Sequence, residues 1–416
     1  MSPKVLPPEV VRKRKMLFLF CGVLILFITS MAKVLVPATI FEDLQRMGMD
    51  VDRISSLGAA FLYSYAASQL LIGCFSDRYG GVRVLLIGGS LFVTGTIIFP
   101  LLENYYLMIL FRCLTGFGAG TIFLGVAKLL ADLFSAKFAM ALGVVLMFSY
   151  FGPTAGTVPM VKLVEAIGWR WAMILPGAVA CVPLMTIILF AKGTIIPVKR
   201  GQTLMPLLVM LRSRNLWFLC FGCATVYGAY YALVGQIGQK IFTDLYGLEP
   251  GRGALCMMIL TILVAVNNIV GNLLLKLCGN RRKMVILTGV AVSFAGILLA
   301  RYGFYAGCGW GLFMTSAVLI AFPAGFFPLF STVAKELFSN RYTAMAVAFL
   351  NFMAFVFISA YQNIAGVILK KYPTDAVTLA FPVTAYEAVY HFFIAGAVVS
   401  LIAALLVPET KDRVRE

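Results

Sequence analysis

The sequence predicts an all-α membrane protein with twelve transmembrane helices, arranged as two six-helix bundles related by a pseudo-two-fold axis along the membrane normal. Hydrophobic residues make up 61% of the 416 residues and charged residues only 12%, whereas soluble domains carry about 25% charged residues. Apolar runs of the roughly 20 residues that a spanning helix needs recur along the chain. Two segments of the first half are also similar to segments of the second half, as parallel six-helix repeats require.

Taken in order, the apolar runs predict twelve spans. The first run follows the basic segment "VRKRK" and continues past Met31, which makes it too long for the hydrophobic part of a signal peptide. We therefore expect an uncleaved first helix. The predicted spans are residues 16–41, 54–75, 84–102, 105–128, 139–162, 171–192, 215–238, 252–275, 284–303, 309–334, 343–369 and 387–407.

Basic residues predict the orientation of these spans. With the N-terminus inside, the segments on the cytoplasmic side hold 23 of the 34 Lys and Arg residues, in agreement with the positive-inside rule. This places both termini in the cytoplasm, at the plasma membrane, with a bacterial inner membrane expected. The net charge of +17 therefore marks a membrane face and does not indicate nucleic-acid binding.

Two internal similarities divide the chain. "VAKLLADLFSAKFAMAL" (126–142) resembles "VAKELFSNRYTAMAV" (333–347), and "GCFSDRYGGVRVLLIGG" (73–89) has a weaker counterpart in "GNLLLKLCGNRRKMVILTG" (271–289). The longest cytoplasmic connection lies between the repeats. The sequence thus predicts an N-terminal bundle of residues 1–191, a linker of residues 192–214 and a C-terminal bundle of residues 215–416.

The charged, glycine-rich loop between spans two and three resembles the hallmark loop of the major facilitator superfamily. The loop match consists of Gly73, Asp77, Arg78, Gly80 and Arg83. Arg112, Gly116, Gly118 and Gly120 match the family pattern of span four, and "VPETK" closes the last span as in the family. The resemblance implies a secondary transporter in which the loop fastens one conformation. Leu275 stands at the second-half position of Asp77, so the resemblance implies an acid-based latch in the first half only.

Polar side chains inside a bilayer usually face the interior of the bundle, and they concentrate in spans one, two, four, five, seven, eight and eleven. These spans also contain Tyr65, Gln69, Ser149, Gln236, Asn268 and Asn363. The residues that we predict to bind substrate are Lys33, Tyr63, Arg112, Tyr150, Tyr227, Tyr230, Tyr231, Asn267, Asn351 and Gln362.

Lys33 is the strongest single signal for a binding site. It lies about 17 residues into an apolar run, and an uncompensated lysine at mid-depth costs about 3 kcal/mol. All seventeen acidic residues lie near span ends or in loops, so we predict that the cargo supplies the negative charge. A basic residue has a similar place in relatives that carry organic anions. The alternative is a lysine near the outer membrane interface.

Other candidates have structural alternatives of equal weight. Arg112 could contact backbone within its own half, and Tyr227, Tyr230 and Tyr231 could serve helix packing. "GPTAG" (152–156) partly resembles a motif of drug-exporting antiporters, but a proline often only marks a flexible point in a membrane helix.

The sequence favours a transporter of a small organic anion (a carboxylate, a phosphorylated metabolite or an amino acid) that works by alternating access, as a monomer. The lack of a P-loop and of a metal-ligand pattern predicts no cofactor and no enzyme activity, with exchange or proton symport as the coupling. A proton-coupled multidrug or cation exporter is one alternative. A non-transporting sensor on the same fold is another, and would need an added signalling domain.

Overall fold

The structure is a computed structural model that describes residues 7–36, 39–134, 138–191, 205–339, 343–375 and 378–411. Within these ranges all regular secondary structure is helical. The helices before residue 192 are α1 Pro8–Leu35, α2 Phe41–Arg46, α3 Val51–Tyr79, α4 Gly81–Ile98, α5 Tyr105–Leu133, α6 Phe138–Ala155, α7 Val158–Ile167 and α8 Trp169–Phe190.

After residue 204 the chain forms nine further helices within the described ranges. They are α9 Met205–Arg212, α10 Arg214–Ala232, α11 Gly238–Tyr246, α12 Pro250–Leu277, α13 Arg282–Tyr305, α14 Trp310–Ala321, α15 Phe327–Glu336, α16 Thr343–Leu369 and α17 Val383–Leu406. A π-helical turn, Leu233–Ile237, joins α10 to α11, and a 3₁₀ turn, Phe322–Phe326, joins α14 to α15.

Ten of the described helices are long and apolar enough to cross a membrane. Two predicted spans are not among them: α3 covers the predicted span 54–75, and α6 and α7 together cover the predicted span 139–162. The single helix expected at 139–162 is wrong in detail, because the chain leaves helical geometry at Gly156 and Thr157. Pro159, the second residue of α7, explains this break, since proline removes a backbone donor and crowds the preceding turn.

The described chain forms two compact units. The first unit comprises Met1–Lys33, Ala60–Gly156 and Lys162–Leu204, and the second comprises Val34–Ala59, Thr157–Val161 and Met205–Glu416. Most of the predicted linker, residues 192–204, lies outside the described residues, whereas its end forms α9. The division into bundles 1–191 and 215–416 stays a prediction.

Glycines permit the tight packing of the first unit. A side-chain carbon at Gly118 would lie 2.6 Å from the carbonyl oxygen of Gly88, which shows how closely α5 approaches α4. Gly116 faces the other way, and a side chain there would overlap the Phe61 carbonyl of α3. The glycine series of span four therefore allows α5 to contact one helix on each side without intervening side chains.

A buried hydroxyl network holds α10, α16 and α17 together in the second unit. The hydroxyls of Thr225 and Tyr361 are 2.6 Å apart, and the Ser400 hydroxyl lies 3.0 Å from Thr225 Oγ1 and donates to the Phe221 carbonyl at 2.8 Å. Buried hydroxyls need such partners, because an unsatisfied polar group in an apolar core is costly.

Candidate functional site

Lys33 lies in the last turn of α1 and is half-buried in the first unit. Its ammonium donates to the Tyr65 hydroxyl at 3.2 Å and lies 4.3 Å from the centroid of the Tyr65 ring. Tyr65 is the middle residue of the 29-residue helix α3, so about 21 Å of helix extends from it in each direction. The lysine is therefore placed against the centre of a long helix.

The end of α1 differs from the predicted span. The helix stops at Leu35 and not near residue 41, because Pro37 follows two residues later and the residue before a proline avoids helical geometry. Lys33 thus gains a second favourable interaction, since a cation in the last turn of a helix complements the negative end of the helix dipole.

A column of two cations with two stacked rings between them runs from Lys33 to Arg112. The rings of Tyr65 and Phe61, one helical turn apart on α3, are stacked with centroids 6.4 Å apart and planes at 13°. The Arg112 guanidinium of α5 lies 4.8 Å from the Phe61 ring and 5.4 Å from the Phe99 ring. Arg112 is 4% exposed. We call these four residues, Lys33, Tyr65, Phe61 and Arg112, the cation–aromatic column.

Helix α6 approaches α1 one turn before Lys33. The hydroxyls of Ser30 and Ser149 are 2.6 Å apart. A side chain at Gly152 would lie 2.9 Å from the Met31 nitrogen, so this glycine of the "GPTAG" segment allows the two helices to touch. Tyr150, a predicted site residue, is next to Ser149 in α6, but its side chain lies outside the described part of the structure.

Tyr63 and Tyr65 have different environments. Tyr63 is 38% exposed, whereas Tyr65 is 3% exposed, because residues two apart on a helix do not share a face. Tyr63 is a predicted site residue, whereas Tyr65 was predicted only as one of the polar residues of the span. Helical spacing alone gave no reason to prefer one tyrosine over the other, and the contact with Lys33 is what distinguishes Tyr65.

The predicted site residues of α10 are mostly packed against other aromatic rings. Tyr227 is 4% exposed and makes edge contacts with Phe327 and Phe330. Tyr230, also 4% exposed, has its ring 5.0 Å from that of Tyr231. The packing interpretation of Tyr227 and Tyr230 is thus supported, while Tyr231 is half-buried.

The remaining predicted site residues belong to α12 and α16. Asn267 is 2% exposed and donates to the Phe322 carbonyl at 3.0 Å, where it supports the 3₁₀ turn of span ten. Asn351 is half-buried. Gln362 is 1% exposed, and its amide donates to the Tyr231 carbonyl at 3.1 Å.

The loop predicted at residues 76–83 is mostly helical. Helix α3 continues to Tyr79, and only Gly80 leaves the helix, with φ at 73°, before α4 begins. Glycine suits this left-handed backbone because it has no Cβ. Arg83 is exposed. The side chains of Asp77 and Arg78 lie outside the described portion, so the latch stays a prediction.

An ion-pair cluster in the second unit was not predicted from the sequence. Arg282 donates to Glu336 at 3.0 Å, and both side chains are nearly buried. Thr410 donates a hydrogen bond to the other oxygen of Glu336, and Glu409 accepts from the Arg282 backbone nitrogen at 3.0 Å. The partners are far apart in sequence, so no local pattern indicated the cluster.

A second missed cluster surrounds Asp244 near the end of α11, which extends span seven beyond the predicted residue 238. Lys240 lies 3.0 Å from Asp244 and 3.8 Å from Glu42. Asp244 also accepts from the Tyr386 hydroxyl at 2.6 Å and from the Phe381 nitrogen at 2.9 Å. We call it the Asp244 cluster.

Comparison with known proteins assigns the family. Residues 18–360 match the sequence profile of the Major Facilitator Superfamily. The chain belongs to this superfamily. It therefore has the multi-pass, twelve-helix membrane fold of this superfamily.

Relatives within the superfamily differ in cargo. A Cupriavidus necator protein named "Probable sulfoacetate transporter SauU" is 26% identical over 137 residues, covering 33% of this chain and 32% of the relative. Multidrug resistance protein 3 of Bacillus subtilis is 23% identical over 186 residues, covering 43% of this chain and 35% of the relative. The chain thus matches about a third of the length of these curated relatives.

A solved structure supports the superfamily fold over nearly the whole chain. The nucleoside transporter NupG superposes with a TM-score of 0.74 at 14% sequence identity, covering 95% of this chain and 99% of that one. At this sequence identity the structural similarity shows only the fold.

Proposed function

We propose that this superfamily member is a secondary transporter of a small organic anion, and that Lys33 binds the anionic group. The observation that carries the proposal is the contact between Lys33 and Tyr65 at the centre of α3. A hydroxyl and a ring are both favourable neighbours of an ammonium. An anion that reaches Lys33 would gain the attraction of that charge in a poorly hydrated place.

Arg112 has a supporting part in this proposal. Its guanidinium is stacked between Phe61 and Phe99, so it fixes Phe61, which in turn stacks on Tyr65. Its charge adds to the positive potential of the first unit, although its buried position makes direct contact with cargo secondary to that of Lys33. Tyr63, Tyr150, Tyr231 and Asn351 stay proposed lining residues.

One named relative supports an anionic cargo. Sulfoacetate, named for the Cupriavidus necator relative, carries a sulfonate and a carboxylate, and both groups accept hydrogen bonds from ammonium groups. We extend only the class, small organic anions, to this chain. Coupling by exchange or by proton symport fits the proposal, and we place the protein in the plasma membrane as a monomer with cytoplasmic termini.

A multidrug exporter is the second candidate. The Bacillus subtilis relative is named for multidrug resistance, and Gly152 of the partial exporter motif makes a close α1–α6 contact. A cationic drug would be repelled by Lys33, whereas a neutral drug could bind the aromatic rings of the first unit. Substrate competition therefore separates the two functions.

The test is uptake and binding with purified protein in liposomes. Radiolabelled sulfoacetate, succinate and glycerol 3-phosphate serve as anions, and tetraphenylphosphonium and ethidium serve as cationic drugs. We expect saturable uptake of at least one anion and no competition by the drugs. Saturable transport of the drugs without any anion transport would contradict the proposal and favour the exporter.

Variants of Lys33 assign the site. Lys33→Ala should abolish anion uptake, and Lys33→Arg should retain part of it, because the charge remains while its geometry changes. Lys371→Ala is the matched control, since Lys371 is exposed after the end of α16. Full anion uptake by a well-folded Lys33→Ala protein would remove Lys33 from the site.

A further inference from the structure

The first helix begins with four consecutive basic residues, and two of them are held inside the first unit. Residues 12–15 form the second turn of α1. The Arg14 guanidinium donates to the carbonyl of Phe190, the last residue of α8, at 3.1 Å. Lys15 binds Asp132, near the end of α5, at 2.9 Å. These two contacts attach the start of α1 to α8 and α5.

The other two basic residues, Arg12 and Lys13, are exposed. An exposed apolar face follows them along α1, where Met16, Leu17 and Phe20 are 44%, 38% and 62% exposed. Lys13 lies three, four and seven residues before them, so these side chains share one face of the helix. We call Arg12, Lys13, Met16, Leu17 and Phe20 the basic–apolar surface of α1.

The basic end of this surface lies at the depth of lipid headgroups. The apolar run of α1 begins at Met16, directly after the basic residues, so the hydrocarbon region of the bilayer begins near this residue. Arg12 and Lys13 precede Met16 by four and three residues, which is about 4.5–6 Å along the helix axis. A headgroup layer is roughly 5–7 Å thick. The two cations therefore reach the phosphate groups of the surrounding lipids.

The charges around this surface favour an anionic partner. The sequence of α1 contains one acidic residue, Glu9, and it lies about 10 Å before Met16 along the helix axis. Glu9 is thus farther from the hydrocarbon than the headgroup layer extends. Asp132, near the end of α5, already binds Lys15. Basic residues next to a spanning helix attract anionic lipids, and each residue near the membrane surface raises the affinity roughly fivefold.

Helix α8 adds apolar surface at the same end of the first unit. Met185 and Leu189, four residues apart on α8, are 47% and 68% exposed, and Phe190 is 47% exposed. Because Arg14 binds the Phe190 carbonyl, this exposed face ends beside the basic residues of α1. The acyl chains of a lipid with its phosphate at those residues would therefore lie beside apolar side chains of both helices.

We propose that the basic–apolar surface of α1 binds an anionic phospholipid, with its phosphate at Arg12 and Lys13 and an acyl chain along Met16, Leu17 and Phe20. The lipid is a partner of the first unit and is not the transported substrate, so the inference goes beyond the proposed function. A zwitterionic lipid binds less tightly, because it carries an ammonium beside its phosphate and the two cations repel that group.

Competing lipids test the inference. Purified full-length protein in detergent is titrated with phosphatidylglycerol or with phosphatidylcholine of the same acyl chains, and bound lipid is counted by native mass spectrometry. Two basic residues predict that phosphatidylglycerol binds about thirtyfold more tightly than phosphatidylcholine. Glycerophosphoglycerol, the same anionic headgroup without acyl chains, should not displace the lipid at equal concentration, because it cannot contact the apolar residues.

Variants locate the preference at α1. Arg12→Gln/Lys13→Gln should bring the two lipids to nearly equal affinity, and each single variant should reduce the preference roughly fivefold. The single variants decide the test if the double variant fails to fold. Arg252→Gln/Lys371→Gln is the matched control, because it removes two exposed cations of the second unit, and it should keep the preference.

Three outcomes would overturn the proposal. Equal binding of the two lipids by the wild-type protein excludes an anionic site. A preference that survives the double variant, or that the control loses equally, places the site elsewhere. Displacement of the lipid by glycerophosphoglycerol at equal concentration means that the residues bind a soluble phosphodiester and that the apolar face has no part. None of these measurements uses a transported anion, so they test this inference separately from the proposed function.

Discussion

The two units hold their buried cations in different ways. In the first unit, Lys33 contacts the ring and hydroxyl of Tyr65, and Arg112 is stacked on Phe61 and Phe99. In the second unit, Lys240 binds Asp244 and Arg282 binds Glu336. Carboxylates neutralise the cations of the second unit and tie distant segments together. Aromatic rings contact the cations of the first unit.

This difference distinguishes a cation that is suited to bind a ligand from a cation that stabilises the fold. An ion pair buried in protein is costly to break from one side, because the remaining charge has no partner. A cation beside a ring can be replaced by an apolar side chain at little cost, since the ring keeps its packing. The two kinds of cation should therefore respond oppositely when stability and transport are measured on the same variants.

The largest effect is expected at the Arg282–Glu336 cluster of the second unit. Arg282→Ala leaves Glu336 nearly buried without its guanidinium partner and should lower the free energy of unfolding by about 3–5 kcal/mol. Denaturant unfolding of the detergent-solubilised protein measures the change. Arg281→Ala, an exposed neighbour, is the control, and equal stability of the two variants would show that the pair is not structural.

A smaller loss is expected at the Asp244 cluster. Asp244→Asn keeps the shape of the side chain but removes the charge that holds Lys240, and should cost about 2–3 kcal/mol. Tyr386→Phe removes one hydrogen bond to that carboxylate and should cost less than Asp244→Asn. The same unfolding assay ranks them, and the reverse order would mean that the tyrosine, not the ion pair, organises the cluster.

At Lys33 the comparison predicts a change in function with little change in stability. Lys33→Met keeps an unbranched side chain beside the Tyr65 ring and removes a half-buried charge, so the free energy of unfolding should change by less than about 1 kcal/mol. Anion binding should be lost. If Lys33→Met destabilises the protein as strongly as Arg282→Ala, Lys33 is part of the scaffold.

The smallest effect is expected from the exposed pairs of Lys370. The hydrogen bonds that Lys370 donates to Asp52 and Asp50 raise the pKa of Lys370 above its ordinary value of 10.5. A lysine whose pKa is raised by folding stabilises the folded state. This stabilisation is complete below the ordinary pKa and is lost only as the pH rises through the raised pKa. The melting-temperature difference between wild type and Lys370→Gln should thus stay constant from about pH 6 to pH 9. A difference that changes within this window would contradict the assignment.

The sequence predicted the fold because the length of an apolar run reports directly on a membrane span. It could not show where the spans break. Pro323 gave a local reason for the 3₁₀ turn of span ten, but nothing in "LVGQI" distinguishes a π-helical turn from an ordinary one. Such a turn depends on how the helices on each side are held by the rest of the structure.

The candidate site was predicted in part for a similar reason. Lys33 and Arg112 were found because a charge in an apolar run is visible in the sequence alone. Their aromatic partners Tyr65 and Phe61 were not, because tyrosine and phenylalanine are common in every span and only tertiary contact selects among them. Glu336 was missed because its partner Arg282 lies 54 residues earlier.

The π-helical turn divides span seven into two helices, α10 and α11, whose side chains differ in rotation about the helix axis. Each residue of an α-helix turns the chain by about 100°, and a π turn accommodates a residue that an uninterrupted helix would not. Contacts with α16 and α17 therefore fix the rotation of α10 about its axis, whereas contacts with Glu42 and Tyr386 fix the rotation of α11. Deleting one residue from this turn would restore a continuous helix and swing Lys240 and Asp244 about a quarter turn away from those partners. A change of one residue in the length of span seven would therefore break the contacts of Lys240 and Asp244, as replacement of these side chains would.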